Sequence, residues 1–363
     1  MSFAKRILVC PMDWGLGHAT RVVPVIRLLQ QAGAEVVIGA DRQPLAFLRR
    51  QFPRMEWVRM PGFQPQYQKR GSLALKMALT IPEMLHEAEK GHRMLEQLVV
   101  EKKIDAVISD NRYELWSEKI PTVFMTHQLH IPLPSFWAAG KPLVRQMIYR
   151  FIRKHNELWI PDFETEPNLS GALSHGYPLP LQAAYFIGPL SRFEGLRPPA
   201  GETLPGPDVL CLLSGPEPQR TLFEKMLIKE MEKSRLHAVL LSGKPDEQTL
   251  QKTGNLEIRS HAGDEVLYRL MWSAGTIVCR SGYSSVMDLV SMGKSAILVP
   301  TPGQPEQEYL ASKLKQEGYF YSCHQKDFSL EKALKVSKQY KGLHLVNDFK
   351  VLRERIEALL GRW

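Results

Sequence analysis

Short apolar runs rich in β-branched side chains recur along the chain, separated by longer stretches whose apolar residues return at helical spacing. In the first half the runs are RILVC, EVVIGA, MEWVRM, DAVISD, TVFMTH, ELWIP and AAYFIG. In the second half they are DVLCLLSG, HAVLLSG, LEIRSH, TIVCRSG and AILVPTPG. Each run predicts a strand. Several of the intervals predict helices, the longest from about Leu73 to Lys103. Strands alternating with helices predict parallel sheets with crossover connections, an α/β architecture.

The pattern lapses at FIGPLSRFEGLRPPAGETLPGPD, residues 186–208, which is rich in proline and glycine and has no period. Such a stretch reads as a linker or hinge. The chain is therefore expected to form two Rossmann-like, doubly wound domains facing across a cleft. Residues 1–190 make the first, residues 191–345 the second, and 346–363 a C-terminal helix packing back on the first. In such sheets ligands bind beyond the carboxyl ends of the strands. The glycine-containing turns, each after a strand and before a helix, would then converge on that cleft.

The first of these turns is PMDWGLGHATR, residues 11–21, with two glycines, a histidine and then an arginine. Glycine lets backbone approach a ligand closely because no Cβ intervenes. The following helix closes on Gly33, and its first turn offers free N–H groups and a positive dipole end, which suit an anion. His18 would stand at the mouth of that site and Thr20 would supply a hydroxyl. Pro24 would either kink the helix or keep its first turn short. The three-glycine spacing of a dinucleotide fingerprint is absent.

Composition narrows the setting. At 363 residues there is material for two domains, and the balance of residues is that of a soluble globular protein. No apolar run approaches the roughly 20 residues of a membrane-spanning helix. MSFAKRILVC enters a strand with no signal-peptide pattern, and Cys10, Cys211, Cys279 and Cys323 are scattered, so a cytoplasmic protein without a zinc site is expected. The net charge of +9 comes with no nucleic-acid motif, which leaves substrate phosphates or an anionic membrane surface as partners. From Lys141 to Lys154, within the segment 135–159, five basic residues and no acidic one are interleaved with Tyr149, Phe151 and Ile152. That segment reads either as an interfacial helix or as a surface helix with its apolar side on the core.

The most specific stretch is VCRSGYSSVMDLVSMGKSAILVPTPGQPEQEYLASKLKQEG, Val278 to Gly318. A strand ends at Arg280-Ser281-Gly282, Ser284 and Ser285 open a helix, and Asp288 follows on it. A further strand ends in a proline turn with Gln304, Glu306, Gln307 and Glu308. Helix-start N–H groups can hold a diphosphate, a carboxylate further along can accept from two ribose hydroxyls, and amide and carboxylate groups suit a hexose.

This stretch resembles the donor-binding region of GT-B glycosyltransferases of family 28, the MurG kind. DWGLGHATR resembles that family's N-terminal Gly-Gly-His loop and LLSGPEPQR, Leu212 to Arg220, the loop that opens its C-terminal domain. The pieces stand in family order over nearly the whole chain. The resemblance implies His18 as the catalytic base, with Asp13 as a second base candidate or the partner that orients it. It implies that Gly15 and Gly17 shape the loop around donor phosphate and acceptor, and that Ser281, Gly282 and Ser284 lie against the diphosphate. Asp288 would bind the ribose, Gln307 and Glu308 the donor sugar, and Ser214 and Arg220 the phosphate side. The segment from Ala262 to Leu267 would line the base. Arg280 would neutralise phosphate or lie on the surface. Thr126, His127 and Gln128 fall near the family's acceptor-side stretch, where only Gln128 matches. Gln307-Glu308 departs from the family's paired glutamines, and Asp13-Trp14 replaces small residues, so the hexose and the acceptor remain open.

The expected reaction is inverting transfer of a hexose or N-acetylhexosamine from a nucleotide sugar, with UDP the nucleotide by family analogy, to an acceptor hydroxyl. No metal or cofactor is implied; SDN at 109–111 is the nearest approach to an Asp-x-Asp pair. A lipid-linked acceptor at the inner face of the cell membrane would use the basic segment. The rival readings are a MurG-like nucleotide-sugar hydrolase in which His18 activates water, a GT-B epimerase whose paired carboxylates are not evident, and a non-catalytic nucleotide-sugar or membrane-surface binding module.

Overall fold

A computed structural model describes residues 4–62, 73–132, 140–196, 206–215, 217–244 and 247–361, with the backbone alone for 73–85. The chain divides into two compact units, Met1–Leu190 with Asp348–Trp363, and Ser191–Asn347.

In the first unit the strands are β1 (Arg6–Pro11), β2 (Glu35–Ala40), β3 (Glu56–Arg59), β4 (Ala106–Asp110), β5 (Thr122–Met125), β6 (Glu157–Ile160) and β7 (Ala184–Phe186). Between them run α1 (Leu16–Gln31), α2 (Arg42–Gln51), α3 (Leu73–Glu101) and α4 (Lys141–Ile152). The strand order is β3-β2-β1-β4-β5-β6-β7, with every neighbouring pair parallel. The central strands read as continuous apolar runs because helices cover both faces of a parallel sheet. Leu8, Cys10, Val37 and Val107 pack with Leu95 and Leu98 of α3, while Phe124, Leu158 and Ile160 pack with Ile148 and Ile152 of α4.

The second unit repeats the plan with β8 (Val209–Leu212), β9 (Ala238–Leu241), β10 (Leu250–Thr253), β11 (Leu256–Arg259), β12 (Thr276–Cys279), β13 (Ala296–Leu298) and β14 (Tyr321–Ser322). Its helices are α5 (Gln219–Glu232), α6 (Asp264–Ser273), α7 (Tyr283–Ser291), α8 (Pro305–Gln316) and α9 (Leu330–Ser337). The order is β10-β11-β9-β8-β12-β13-β14, parallel except for the β10–β11 hairpin. The last helix, α10 (Lys350–Gly361), belongs to the first unit. It packs on α1, and Arg355 lies 4.3 Å over the Tyr185 ring.

Both sheets are Rossmann-like, and in both the winding reverses beside the first strand. In the first unit that switch point lies between β1 and β4, whose last residues, Pro11 and Asp110, are register partners. In the second it lies between β8 and β12, where Leu212 pairs with Cys279. The loops carrying the sequence motifs leave the sheets at these two places.

The basic segment resolves into a helix with two unlike sides. Ile148, Tyr149 and Ile152 of α4 are buried in the core, whereas Leu143 and Met147 are exposed beside Lys141 and Arg150. Residues 133–139 of that segment lie outside the described residues. Among the described residues no helix is long and apolar enough to cross a membrane.

Candidate active site

The glycine at the start of α1 is fixed by backbone geometry. Gly15 has φ +84° and ψ −179°, a region open essentially to glycine alone, and a Cβ there would meet no atom within 4 Å. The glycine therefore serves the turn rather than relieving a crowded neighbour. Gly15→Ala is expected to cost about 1–3 kcal/mol through backbone strain, read as a lower midpoint in chemical denaturation, and to misplace His18 at the same time. Gly17 lies inside the first turn of α1, where its carbonyl accepts from the Thr20 hydroxyl at 2.9 Å. Thr20 is thereby spent on the helix itself. Pro24 is inside the helix.

That turn places His18 against the end of β4. Its Nδ1 is 3.0 Å from Asp110 Oδ2 and 2.9 Å from Arg21 Nη2. Arg21, one helical turn on and buried, donates from Nε to both Asp110 oxygens at 2.9 Å, from Nη2 to Oδ1, and from Nη1 to His127 Nδ1 at 2.8 Å. The carboxylate on His18 Nδ1 is thus Asp110. Asp13 is buried in the same loop, and Asp110 is brought in from 92 residues away because β4 is the neighbour of β1. Burial raises the Asp110 pKa, but Arg21 and His18 together hold it below the usual carboxylate range. Burial first and Arg21 second push His18 below its ordinary 6.5, against the pull of Asp110.

The acceptor-side residues change roles. Thr126 is fully buried; its hydroxyl donates to Asn111 Oδ1 at 2.9 Å and accepts from the Gln128 N–H at 3.0 Å, so it braces the loop instead of facing a ligand. His127 is buried on Arg21. Gln128 is half-buried beside them.

At the second switch point the loops are cross-tied. Arg280 is fully buried, and its guanidinium donates to the carbonyls of Val299, Pro300 and Gln219 at 3.1–3.2 Å and to Gln325 Oε1 at 2.8 Å. It also lies 3.9 Å over the Phe223 ring, and burial lowers its pKa to about 10. This is a staple joining three loops, neither the phosphate ligand nor the surface residue of the sequence reading. Arg220 is corrected likewise, because its donors go to Glu217, to Glu224 at 3.0 Å and to the Ser242 carbonyl at 3.0 Å. A guanidinium neutralised by two carboxylates has little left for a diphosphate. The Ser281 hydroxyl is also spent, donating to the Gln307 carbonyl at 2.8 Å in the buried interior.

What these ties hold in place is a set of loop ends around α7 and α8. Gly282 caps α7 with open space where a Cβ would be, and Ser284 follows in the first turn. Gly215, with φ +99°, comes next to Thr301, its Cβ position being 3.9 Å from Thr301 Oγ1; Ser214 precedes it. Gln307 Oε1 accepts from the Thr301 N–H and Glu308 Oε1 from the Gly303 N–H, both at 2.9 Å, which fixes the proline turn. In that turn Thr301 Oγ1 and Gln304 Oε1 are buried with no hydrogen-bond partner among the described residues. Buried polar groups normally have partners, so two orphans in one turn fit a site meant for a polar ligand. In sequence both stand among other polar residues of TPGQPEQ, and nothing local sets Thr301 apart.

Asp288 stands on α7, buried. Its Oδ1 accepts from Ser191 Oγ at 2.8 Å, and Oδ2 is 3.5 Å from Arg192 Nε. Arg192 also donates to Asp264 Oδ1 at 2.7 Å, at the start of α6 and inside the stretch assigned to the base. Burial lifts the Asp288 carboxyl to about 6 against Arg192 and Ser191. Ser191 and Arg192 were unsignalled within the linker-like stretch.

Residues 212–342 match the glycosyltransferase family 28 C-terminal domain. An uncharacterized glycosyltransferase of Methanosarcina acetivorans is 24% identical over 327 residues, covering 86% of this chain and 84% of the relative. Among solved structures, the glycotransferase of kitacinnamycin superposes with a TM-score of 0.61 at 16% identity, over 99% of this chain and 94% of that one. Acinetobacter baumannii MurG superposes with a TM-score of 0.56 at 14% identity, over 98% and 99%. The chain has the fold of the GT-B glycosyltransferases and resembles MurG.

Proposed function

We propose that this chain, a glycosyltransferase of GT-B architecture, inverts the anomeric centre of a UDP-activated hexose or N-acetylhexosamine as it passes the sugar to an acceptor hydroxyl. In this reading the first unit supplies the base. His18 Nε2 takes the acceptor proton while its Nδ1–H donates to Asp110, and the acceptor oxygen forms a bond to the anomeric carbon. The bond from that carbon to the phosphate oxygen breaks, and its electron pair leaves with the diphosphate. The second unit supplies the donor side. The N–H groups at the start of α7 face the diphosphate. Asp288 accepts from the ribose hydroxyls, and the turn from Thr301 to Glu308 meets the sugar.

The observation that carries the proposal is the His18–Asp110 pair at the switch point of the first sheet, a half-buried imidazole on a fully buried carboxylate. Its chemistry is that of a neutral histidine beside an anionic carboxylate, which is a general base. The Thr301 and Gln304 oxygens, unpartnered among the described residues, support the donor side independently.

The test is a thermal-shift panel of nucleotides and sugar nucleotides, since a ligand that binds only the folded state raises the melting temperature. UDP and one UDP-sugar should stabilise the wild type. Asp288→Ala should weaken donor affinity by about 10–100-fold, the loss of one or two hydrogen bonds to a charged acceptor. Indifference of the melt to every nucleotide overturns the donor assignment. The acceptor in this proposal is lipid-linked. Leu143 and Met147, exposed between Lys141, Arg145 and Arg150 on α4, would rest on an anionic leaflet. Binding to anionic vesicles that salt abolishes is the expected result, and equal binding to neutral vesicles counts against it.

A further inference from the structure

Arg21 has no acceptor atom and five N–H donors, which makes the proton positions around it readable from the heavy atoms alone. Its Nη1 lies 2.8 Å from His127 Nδ1, so that nitrogen presents a lone pair to the guanidinium. The same logic applied to His18 gives two answers. Its Nδ1 is 3.0 Å from an Asp110 oxygen, which asks for a proton, and 2.9 Å from Arg21 Nη2, which asks for a lone pair. One nitrogen can satisfy either demand but not both. With the proton on Nδ1, Nε2 is free to act as a base. With the lone pair on Nδ1, the proton sits on Nε2 and the ring can only donate there.

We infer that Arg21 competes with Asp110 for His18 Nδ1 and so sets the fraction of His18 in the tautomer that can accept a proton. Arg21 is a positioning residue, acting through His18 and Asp110. The charged and titratable groups that act most on His18 are Arg21 on its own helix, Asp110 at the end of β4, and His127 beyond β5; Asp13 is buried in the loop before it. Of these, Arg21 and His127 disfavour the imidazolium and Asp110 favours it. Protonation of His18 also requires Nδ1–H to turn wholly to Asp110 and surrender the Arg21 contact. The arrangement resists holding a proton, and it returns one readily once the acceptor has been glycosylated. This consequence for turnover rests on the base role proposed above; the tautomer competition does not.

The experiment is a pH titration of 15N-histidine-labelled protein by NMR, wild type against Arg21→Gln and Arg21→Lys. In the wild type His127 should show the Nε2–H pattern, and His18 nitrogen shifts averaged between the two tautomers. Arg21→Gln should turn His18 to the Nδ1–H form and raise its titration midpoint by about one to two pH units, as expected for removing an adjacent cation. The acid limb of kcat/KM should move up by the same amount, a shift that mere loosening of the loop does not produce. Arg21→Lys keeps the charge without the fork and should move the midpoint by less. If Arg21→Gln does not fold, the wild-type spectrum still decides, because a His18 that is wholly Nδ1–H at neutral pH overturns the competition. An unchanged midpoint in a folded Arg21→Gln overturns it as well. Should His18→Ala retain turnover while these shifts appear, the base role fails and the tautomer inference stands.

Discussion

His18→Ala is expected to lower kcat for sugar transfer by about 10²–10⁴-fold, the usual contribution of a positioned general base. Donor affinity should be unchanged, because the residues proposed for the donor side belong to the second unit. Isothermal titration with the UDP-sugar and initial-rate kinetics on the same preparation separate the two effects. The pH profile of the wild type adds a signed expectation. A base works only when deprotonated, so activity is present above its pKa and lost as pH falls through it. Because burial and Arg21 push His18 below 6.5, the acid limb should lie below that value. A limb at or above 6.5, or a fully active alanine variant, removes His18 from the chemistry.

Asp110→Asn should be the more damaging change to the protein itself. The substitution leaves the Arg21 guanidinium, 1% exposed, facing two imidazoles and an amide. Removing one partner of a buried ion pair costs roughly 3–5 kcal/mol, because the other charge stays desolvated without compensation. Urea denaturation at neutral pH measures this. The difference should also depend on pH. The Asp110 pKa is lowered in the folded state, so its contribution is complete above the unfolded carboxylate value of about 3.9 and fades as pH falls through the folded one. Wild type and variant should therefore begin to converge below about pH 4 and meet only below the folded pKa of Asp110. Catalysis should fall as well, since the asparagine side chain can offer His18 Nδ1 an N–H and stabilise the unreactive tautomer. The analogous exchange in a serine-protease triad costs about 10⁴-fold. A variant with wild-type stability denies Asp110 the pairing described for it.

These residues also mark how far the sequence alone could be read. The buried strands announced themselves because a parallel strand covered on both faces has no polar side, and Val-Ile-Leu runs such as RILVC and DAVISD are the result. β10 gave no such signal: all four of its residues are exposed, so there is no apolar face to alternate. β14 is two residues long. His18 was legible because a histidine behind a glycine turn at a helix start is a local pattern. Asp110 was not, although SDN was in plain view at the end of a predicted strand. Its meaning depends on β4 lying beside β1, and only the strand order carries that. Arg280 and Arg220 were misread for the opposite reason. In sequence, arginines near glycine loops look like phosphate ligands, yet here each is consumed by neighbours that no local pattern reveals. Thr301 and Gln304 could have been found by asking which polar groups in the proline turn had no backbone partner, a question that needs coordinates.

The two sheets end on four outer strands, and none invites another chain. β14 has two residues, β7 three, and β3 and β10 four each. β3 carries Glu56, which pairs with Lys102 at 2.9 Å, and Arg59, which pairs with Asp41 at 2.6 Å. β10 runs antiparallel to its neighbour and carries Lys252, paired across the hairpin with Glu257 at 2.9 Å. An exposed edge is a row of unsatisfied hydrogen-bonding groups that can template intermolecular pairing, and short or charged edges suppress it. Two seven-stranded sheets in one chain would otherwise double that hazard. Lengthening β10 with apolar residues, or neutralising Glu56 and Arg59 together, should increase aggregation during refolding relative to the wild type while leaving the catalytic chemistry untouched.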